Sequence, residues 1–392
     1  MKQSLYLAYC YLVYHRFRSL VLVTAIGLII FLPIGLEKLI SDSEKEMMAR
    51  AEAFPLIIGA KGSSTDLVIN AIYFQQQEME QLNMEVGKQL DKTNLGHSIP
   101  LLTIFKSRNF PIIGTSIDYF EFRKLEIAEG KNLQLVGECI IGSSVSEQLN
   151  LSPGDSLVSS PENYFDMAGV YPLKMKIVGV LKASGSADDK AVFTDLKTNW
   201  IIMGLGHGHQ DVVDLKDPTL VMQSDSSNVR TTAKLFMYNE IDGENMDSFH
   251  FHGDTDSYPV SAFIFVSNNE KSSTILRGRF VSGELPDQVV VPVKVVEHLL
   301  QSIFRIKYIF NTVFVLVGVA TLLILVLIVT LSLRLRKDEI HTMFTMGSSR
   351  HKTFEILGLE LLILVFLSTV VAGILYLITG YFVDDFIRYF IL

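Results

Sequence analysis

Three long runs without a charged residue dominate the pattern of this chain. Residues 19–36 make one of 18, residues 308–333 one of 26 and residues 361–383 one of 23. A helix rises about 1.5 Å per residue, so runs of this length suit a hydrocarbon core about 30 Å thick. They predict three transmembrane α-helices, placed at residues 19–40, 303–333 and 354–383. A cleaved signal peptide competes for the first run, but the run exceeds a typical signal core and EKLISDSEKEM follows it with no A-x-A-like site. An uncleaved anchor fits better. Past it, Leu36, Leu39, Ile40, Met47 and Ala51 keep roughly helical spacing, which predicts a stalk projecting from the first span.

Residues 41–302 show shorter periods of both kinds. From Phe54, FPLIIGAKGSSTDLVINAIYF predicts a strand, a turn at residues 59–64 and a helix with Thr65 and Asp66 as cap and first turn. Residues 75–90 read as a polar amphipathic helix, and strands follow near 98–105 and 110–119. In CIIGSSVSEQLNLSPGDSLV, a strand ends at Gly142, a short helix presents Val145 and Leu149 inward, and residues 152–155 turn into another strand. Leu173, Met175 and Ile177 alternate with Lys174 and Lys176, the mark of a half-buried strand. Residues 200–256, rich in Gly and Asp, predict an irregular sublobe. Strand character returns at 258–266 and 288–293. Pro292 then opens a helix whose stripe Val295, Val296, Leu299, Leu300 and Ile303 runs into the second span. The predicted fold class is a membrane protein: three transmembrane α-helices with helical stalk extensions, plus a large mixed α+β extracytoplasmic domain at 41–302.

Charge orients this plan. The formal net charge of the 392 residues is −8, yet residues 41–302 carry about −13 and the remainder about +5. That split predicts an exported acidic domain with cytoplasmic flanks. Residues 1–18 combine Tyr6, Tyr9, Tyr11, Tyr14 and Phe17 with Lys2, Arg16 and Arg18, as in an interfacial helix on the cytoplasmic face that contacts lipid. Between the last two runs, residues 334–353 hold Arg334, Arg336, Lys337, Arg350 and Lys352 against Asp338 and Glu339, which places this loop in the cytoplasm. Ile340, Met343, Phe344 and Gly347 recur there at i, i+3, i+4 and i+7, either a short helix on which a partner docks or a loop resting among headgroups. An acidic exported domain argues against nucleic acid. The two cysteines, Cys10 and Cys139, fall on opposite sides of the membrane, so no intramolecular disulfide is expected.

Candidate chemistry is sparse. No Ser/His/Asp or Cys/His grouping is legible, so no catalytic residue is assigned, and GAKGSS at 59–64 lacks the spacing of a phosphate loop. The one cluster with ligand character is His207, His209, His250 and His252. Residues two apart on a strand face the same way, so the two pairs could offer four nitrogens to zinc, although the same spacing also occurs in strands without metal. Glu360 and Asn311 are polar residues in apolar runs, close enough to an interface to be solvated there.

RKDEIHTMFTMGSSRHKTFEILGLELL resembles the coupling region of ABC-transporter permeases of the macrolide-exporter (MacB), cell-division FtsX and lipoprotein-release LolC/LolE type. Arg336, Glu339, Ile340, Phe344, Gly347, Arg350 and Glu360 are the residues that correspond, and with Met343 they are the candidate ATPase-coupling residues. IIGSSVSEQLNLSPGDSL and KIVGVLKASGSADDKAVF look like elements of that family's MacB-like extracytoplasmic core domain. The resemblance implies a non-catalytic permease of the bacterial cytoplasmic (inner) membrane, without a cofactor of its own. It would pair with a second permease copy or paralogue and a cytoplasmic ATPase dimer carrying ATP and Mg²⁺. An envelope substrate, and an envelope or periplasmic partner, would be handled by mechanotransmission. The family has four spans and three are predicted here, so an odd count puts Leu392 outside, with residues 384–392 an extracytoplasmic tail turning along the surface. A reading of another class is a membrane-anchored extracytoplasmic binding module, for a metal or an envelope protein, that needs no ATPase.

Overall fold

The computed structural model describes residues 2–160, 172–208, 221–225, 228–231, 240–243, 245–251, 253–283, 285, 287–335, 337, 341–342, 345, 347 and 350–390. The chain divides into a helical unit, Met1–Glu46 with His298–Ile391, and a mixed unit, Met47–Glu297.

The helical unit is built on Lys2–Tyr14 and on parts of three long helices, Arg16–Glu52, Pro292–Leu335 and Arg350–Phe390. Two stretches, Arg16–Glu52 and Phe354–Gly380, are long and apolar enough to cross a membrane, and Tyr308–Ile324 is a shorter apolar helical stretch. Their large side chains point outward: Leu20, Leu323, Leu362, Phe366 and Leu377 are exposed. Contiguous exposed apolar surface of this kind is expected of helices solvated by lipid. Lys2–Tyr14 packs on Arg350–Phe390, and Ala8 and Leu12 on it are buried. Helix contact in lipid draws little from the hydrophobic effect and depends on close approach at small residues. Gly27 is such a point, because a Cβ there would lie 3.1 Å from the Ser368 carbonyl and from a Val371 methyl. Ser368 and Ala372 are buried on the facing helix. The turn expected near the C-terminus does not occur, since Arg350–Phe390 is one continuous helix.

The mixed unit is organised on a ten-stranded sheet. Its strands run in the order Gln288–Val290, Ile57–Gly59, Ala262–Ser267, Gly96–Ser107, Phe110–Thr115, Val192–Asp195, Glu138–Ile141, Lys174–Leu181 and Ile127–Gly130, with Ser156–Val158 also pairing to Lys174–Leu181. Phe110–Thr115 with Val192–Asp195, and Glu138–Ile141 with Lys174–Leu181, are parallel. The other pairs in this sheet are antiparallel. One apolar cluster gathers Phe105, Ile112, Cys139, Met175, Ile177 and Ile202, and a second gathers Leu56, Ile58, Leu90, Val260, Phe263 and Leu276. Full burial of one such side chain contributes about 1.5–3 kcal/mol.

Several sequence expectations appear as read. Glu138–Ile141 ends at Gly142, helix Ser143–Leu149 buries Val145, and Ser156–Val158 follows the turn. Leu173, Met175 and Ile177 are buried while Lys176 is exposed. Pro292 opens the long helix, with Val296 and Leu300 buried. Helix Ser64–Tyr73 starts near Thr65 as expected and holds Asp66 in its first turn, with Ser63 as the cap: its hydroxyl accepts from the Asp66 amide at 3.2 Å. One expectation fails. Residues 75–90 are not one helix, because only Met84–Asp91 is helical. Phe74 takes φ +57 and ends the preceding helix, and the Gln76 side-chain amide donates to the Ile104 carbonyl. QQQEMEQ has no apolar stripe to bury and so forms an extended strap.

Candidate functional site: coupling loop, stalk anchor and histidine ribbon

The loop between the last two long helices begins after Leu335 and ends at Arg350. Of the residues matched to the coupling region, Arg336, Glu339, Ile340, Met343 and Phe344 lie outside the described residues. Gly347 has φ +92, a left-handed conformation that a side chain disfavours. Arg350 opens the final helix, and Glu360, three turns in, is 8% exposed. Glu360 is therefore a buried residue of the helical unit, in keeping with a structural role.

Sequence reading missed a charged cluster at the end of helix Arg16–Glu52. Arg50 lies in its last turn, 4% exposed, and Asp188, in the turn at residues 184–190, is fully buried. The two meet as a fork: Nη1 to Oδ2 at 3.0 Å and Nη2 to Oδ1 at 3.3 Å, while Arg50 Nε donates to the Ile72 carbonyl at 2.7 Å. Arg123 Nη2 reaches the same carboxylate at 3.2 Å, Tyr119 donates its hydroxyl at 2.6 Å and Ser186 at 2.7 Å. Phe54, Tyr73 and Phe74 surround the Arg50 guanidinium at 5.5–5.9 Å from their centroids, and Arg123 lies 4.9 Å from that of Phe54. Burial acts to raise the Asp188 carboxyl, but Arg50 first, then Arg123 and Tyr119, hold it well below the ordinary carboxylate range. Burial, followed by the Asp188 charge, pushes the Tyr119 phenol well above its ordinary value, so it remains a donor. Two cations share one fully hydrogen-bonded anion, and loss of either partner of such a pair costs about 3–5 kcal/mol. No local signal marks this cluster. Arg50 and Asp188 stand 138 positions apart, and GSADDK reads as an ordinary solvated turn.

The histidines are partly brought together. Gly206–Gly208 pairs antiparallel with Phe249–Phe251, and His207 stands directly opposite His250. Their rings meet edge to face, with centroids 4.9 Å apart. His209 and His252 lie outside the described residues. Among the described residues no three potential ligands cluster.

Residues 311–391 match the family model of the FtsX-like permease C-terminal region. The segment holding the last two apolar helices and the basic loop is thus of FtsX-like permease kind. With it, the FtsX-like resemblance read from the loop stands for this segment. Among solved structures, the periplasmic region of MacB from Actinobacillus actinomycetemcomitans is 10% identical, with TM-score 0.35 over 64% of this chain and 97% of that one. The extracellular domain of the noncanonic ABC-type transporter YknZ from Gram-positive bacteria is 11% identical, with TM-score 0.32 over 60% and 98%. A domain of a putative permease protein from Porphyromonas gingivalis is 9% identical, with TM-score 0.25 over 60% and 85%. These three stand as likenesses only, and the family reading is carried by the C-terminal match. No curated protein matches the sequence.

Proposed function

We propose that the chain is the permease subunit of an ABC transporter that turns ATP hydrolysis by a separate cytoplasmic ATPase dimer into movement of its extracytoplasmic domain. The observation that carries this reading is the FtsX-like match across residues 311–391, which takes in the basic loop, most of the apolar run before it and the apolar run after it. The chain is read with three spans, its N-terminus and residues 334–353 in the cytoplasm and residues 41–302 outside. Ile340, Met343 and Phe344 of the loop receive the ATPase, with Arg336, Glu339, Gly347, Arg350 and Glu360 taking part in the coupling. A second permease copy or paralogue completes the membrane part, and an envelope substrate is exported or extracted. Mechanotransmission would pass along Arg16–Glu52, a single helix that begins in an apolar run and carries Arg50 in its last turn.

Replacing Met343 and Phe344 with Asp tests the reading. The expected result is loss of ATPase co-purification with membrane insertion unchanged. Undiminished yield of the complex, or absence of any ATPase from the wild-type preparation, would overturn it.

A further inference from the structure

The middle of helix Pro292–Leu335 is an apolar stretch that the described residues leave unpacked. No side chain from Tyr308 to Ile324 is buried, and Phe310, Val315, Leu316 and Ile324, which face different ways around the helix, are all exposed. The final helix differs, with Ser368 and Ala372 buried where Gly27 approaches it. The two threonines of the unpacked stretch are satisfied within their own helix: Thr312 donates to the Tyr308 carbonyl at 2.9 Å and Thr321 to that of Val317 at 2.8 Å. Asn311 is not. Its side chain is exposed and makes no hydrogen bond among the described residues. Helical spacing puts Asn311, Val315, Gly318 and Leu322 on one line, at i, i+4, i+7 and i+11. Gly318 has open space around its Cβ position, and Val315 and Leu322 are exposed.

We propose that this line is the seam on which a second copy of the same chain packs, Asn311 against Asn311. The inference rests on the permease reading above and names the helix through which two copies meet. Hydrocarbon offers a carboxamide no partner. A carboxamide carries two N–H donors and a carbonyl acceptor, so it is complementary to itself. Two copies inserted in the same sense bring identical residues to the same depth, and a two-fold axis along the line sets each Asn311 facing the other. A lone asparagine on an apolar seam fixes register and the number of helices that associate. Gly318, two turns further on, lets the two backbones approach, and close approach is what holds helices together where lipid removes the hydrophobic drive. Val315 and Leu322 fill the seam between and beyond these two points.

The test uses the full-length chain in lipid vesicles at low protein content, with Cys10 replaced by serine so that the buried Cys139 is the one native thiol left. On mild oxidation, Val315→Cys and Leu322→Cys should each give a disulfide-linked dimer of this chain, while Val313→Cys and Leu316→Cys, on the opposite side of the helix, should give several-fold less. In the Val315→Cys chain, Asn311→Leu should lower the cross-linked fraction about three- to tenfold, and Asn311→Gln, which keeps the carboxamide, should restore most of it. Asn311→Leu extends an apolar run, so membrane insertion and yield should match the parent. Absence of a dimer, equal cross-linking at all four positions, or a cross-link indifferent to Asn311→Leu, as expected of a side chain solvated at the interface, overturns the proposal. ATPase co-purification is read on the same preparations. A chain that keeps the ATPase without the seam loses this inference alone, and a seam in a chain without any ATPase upholds the inference while removing the permease reading.

Discussion

Asp188 shows what one residue decides. Its folded-state carboxyl sits below its unfolded value, so the stability it contributes is fully present above the unfolded value near pH 4 and fades only as pH falls through the lower folded one. Asp188→Asn should therefore lower the neutral-pH stability of the mixed unit by about 3–5 kcal/mol, because two guanidinium groups lose their carboxylate. The loss should shrink at more acid pH, and chemical denaturation followed by Trp200 fluorescence across pH 3 to 7 measures it. Arg50→Lys should also destabilise, since an ammonium cannot supply the fork to Asp188 together with the Ile72 contact. Cys139 illustrates the opposite sign. Burial pushes its thiol well above the ordinary value, so the native protein should resist alkylation there.

At the scale of elements, Gly347 offers a sharp contrast with Gly358. An alanine at φ +92 opposes its local conformation by about 1–2 kcal/mol, whereas Gly358 lies within a helix with open space around its Cβ position. Gly347→Ala should cut ATPase co-purification several-fold, and Gly358→Ala should leave it unaffected. Elements with a strong local pattern were legible in the sequence. The Lys174–Leu181 alternation, the Gly142 strand end and the Pro292 helix start each depend on neighbours a few residues away. Residues 75–81 were not legible, because their path is set by the Phe74 backbone and by the Ile104 carbonyl, which the local pattern does not contain. The histidine pair was half legible. Two-residue spacing announced a shared face on each strand, but the register that opposes His207 to His250 comes from phenylalanines packed on a distant core.

For the whole molecule, the topology proposed above has a direct test. Three crossings from a cytoplasmic N-terminus place Leu392 outside. A C-terminal tag should resist protease in sealed inside-out vesicles and be cleaved only on permeabilisation, and cleavage without permeabilisation would exclude three spans. On that topology the sheet order sets a timetable. Ile57–Gly59 lies between Ala262–Ser267 and Gln288–Val290, partners that arrive roughly two hundred residues later. A chain delivered across the membrane from its N-terminal side thus exports a strand that waits, unpaired on both edges, for most of the domain to emerge. Closing so long a loop is slow, and an open strand edge is exposed to other chains throughout. Pausing translation just before residue 262 should hold the exported domain protease-sensitive, and release past residue 290 should convert it to the resistant form. On that topology, folding of the exported domain is gated by synthesis of the chain through residue 290, with the strand Gln288–Val290 acting as the latch.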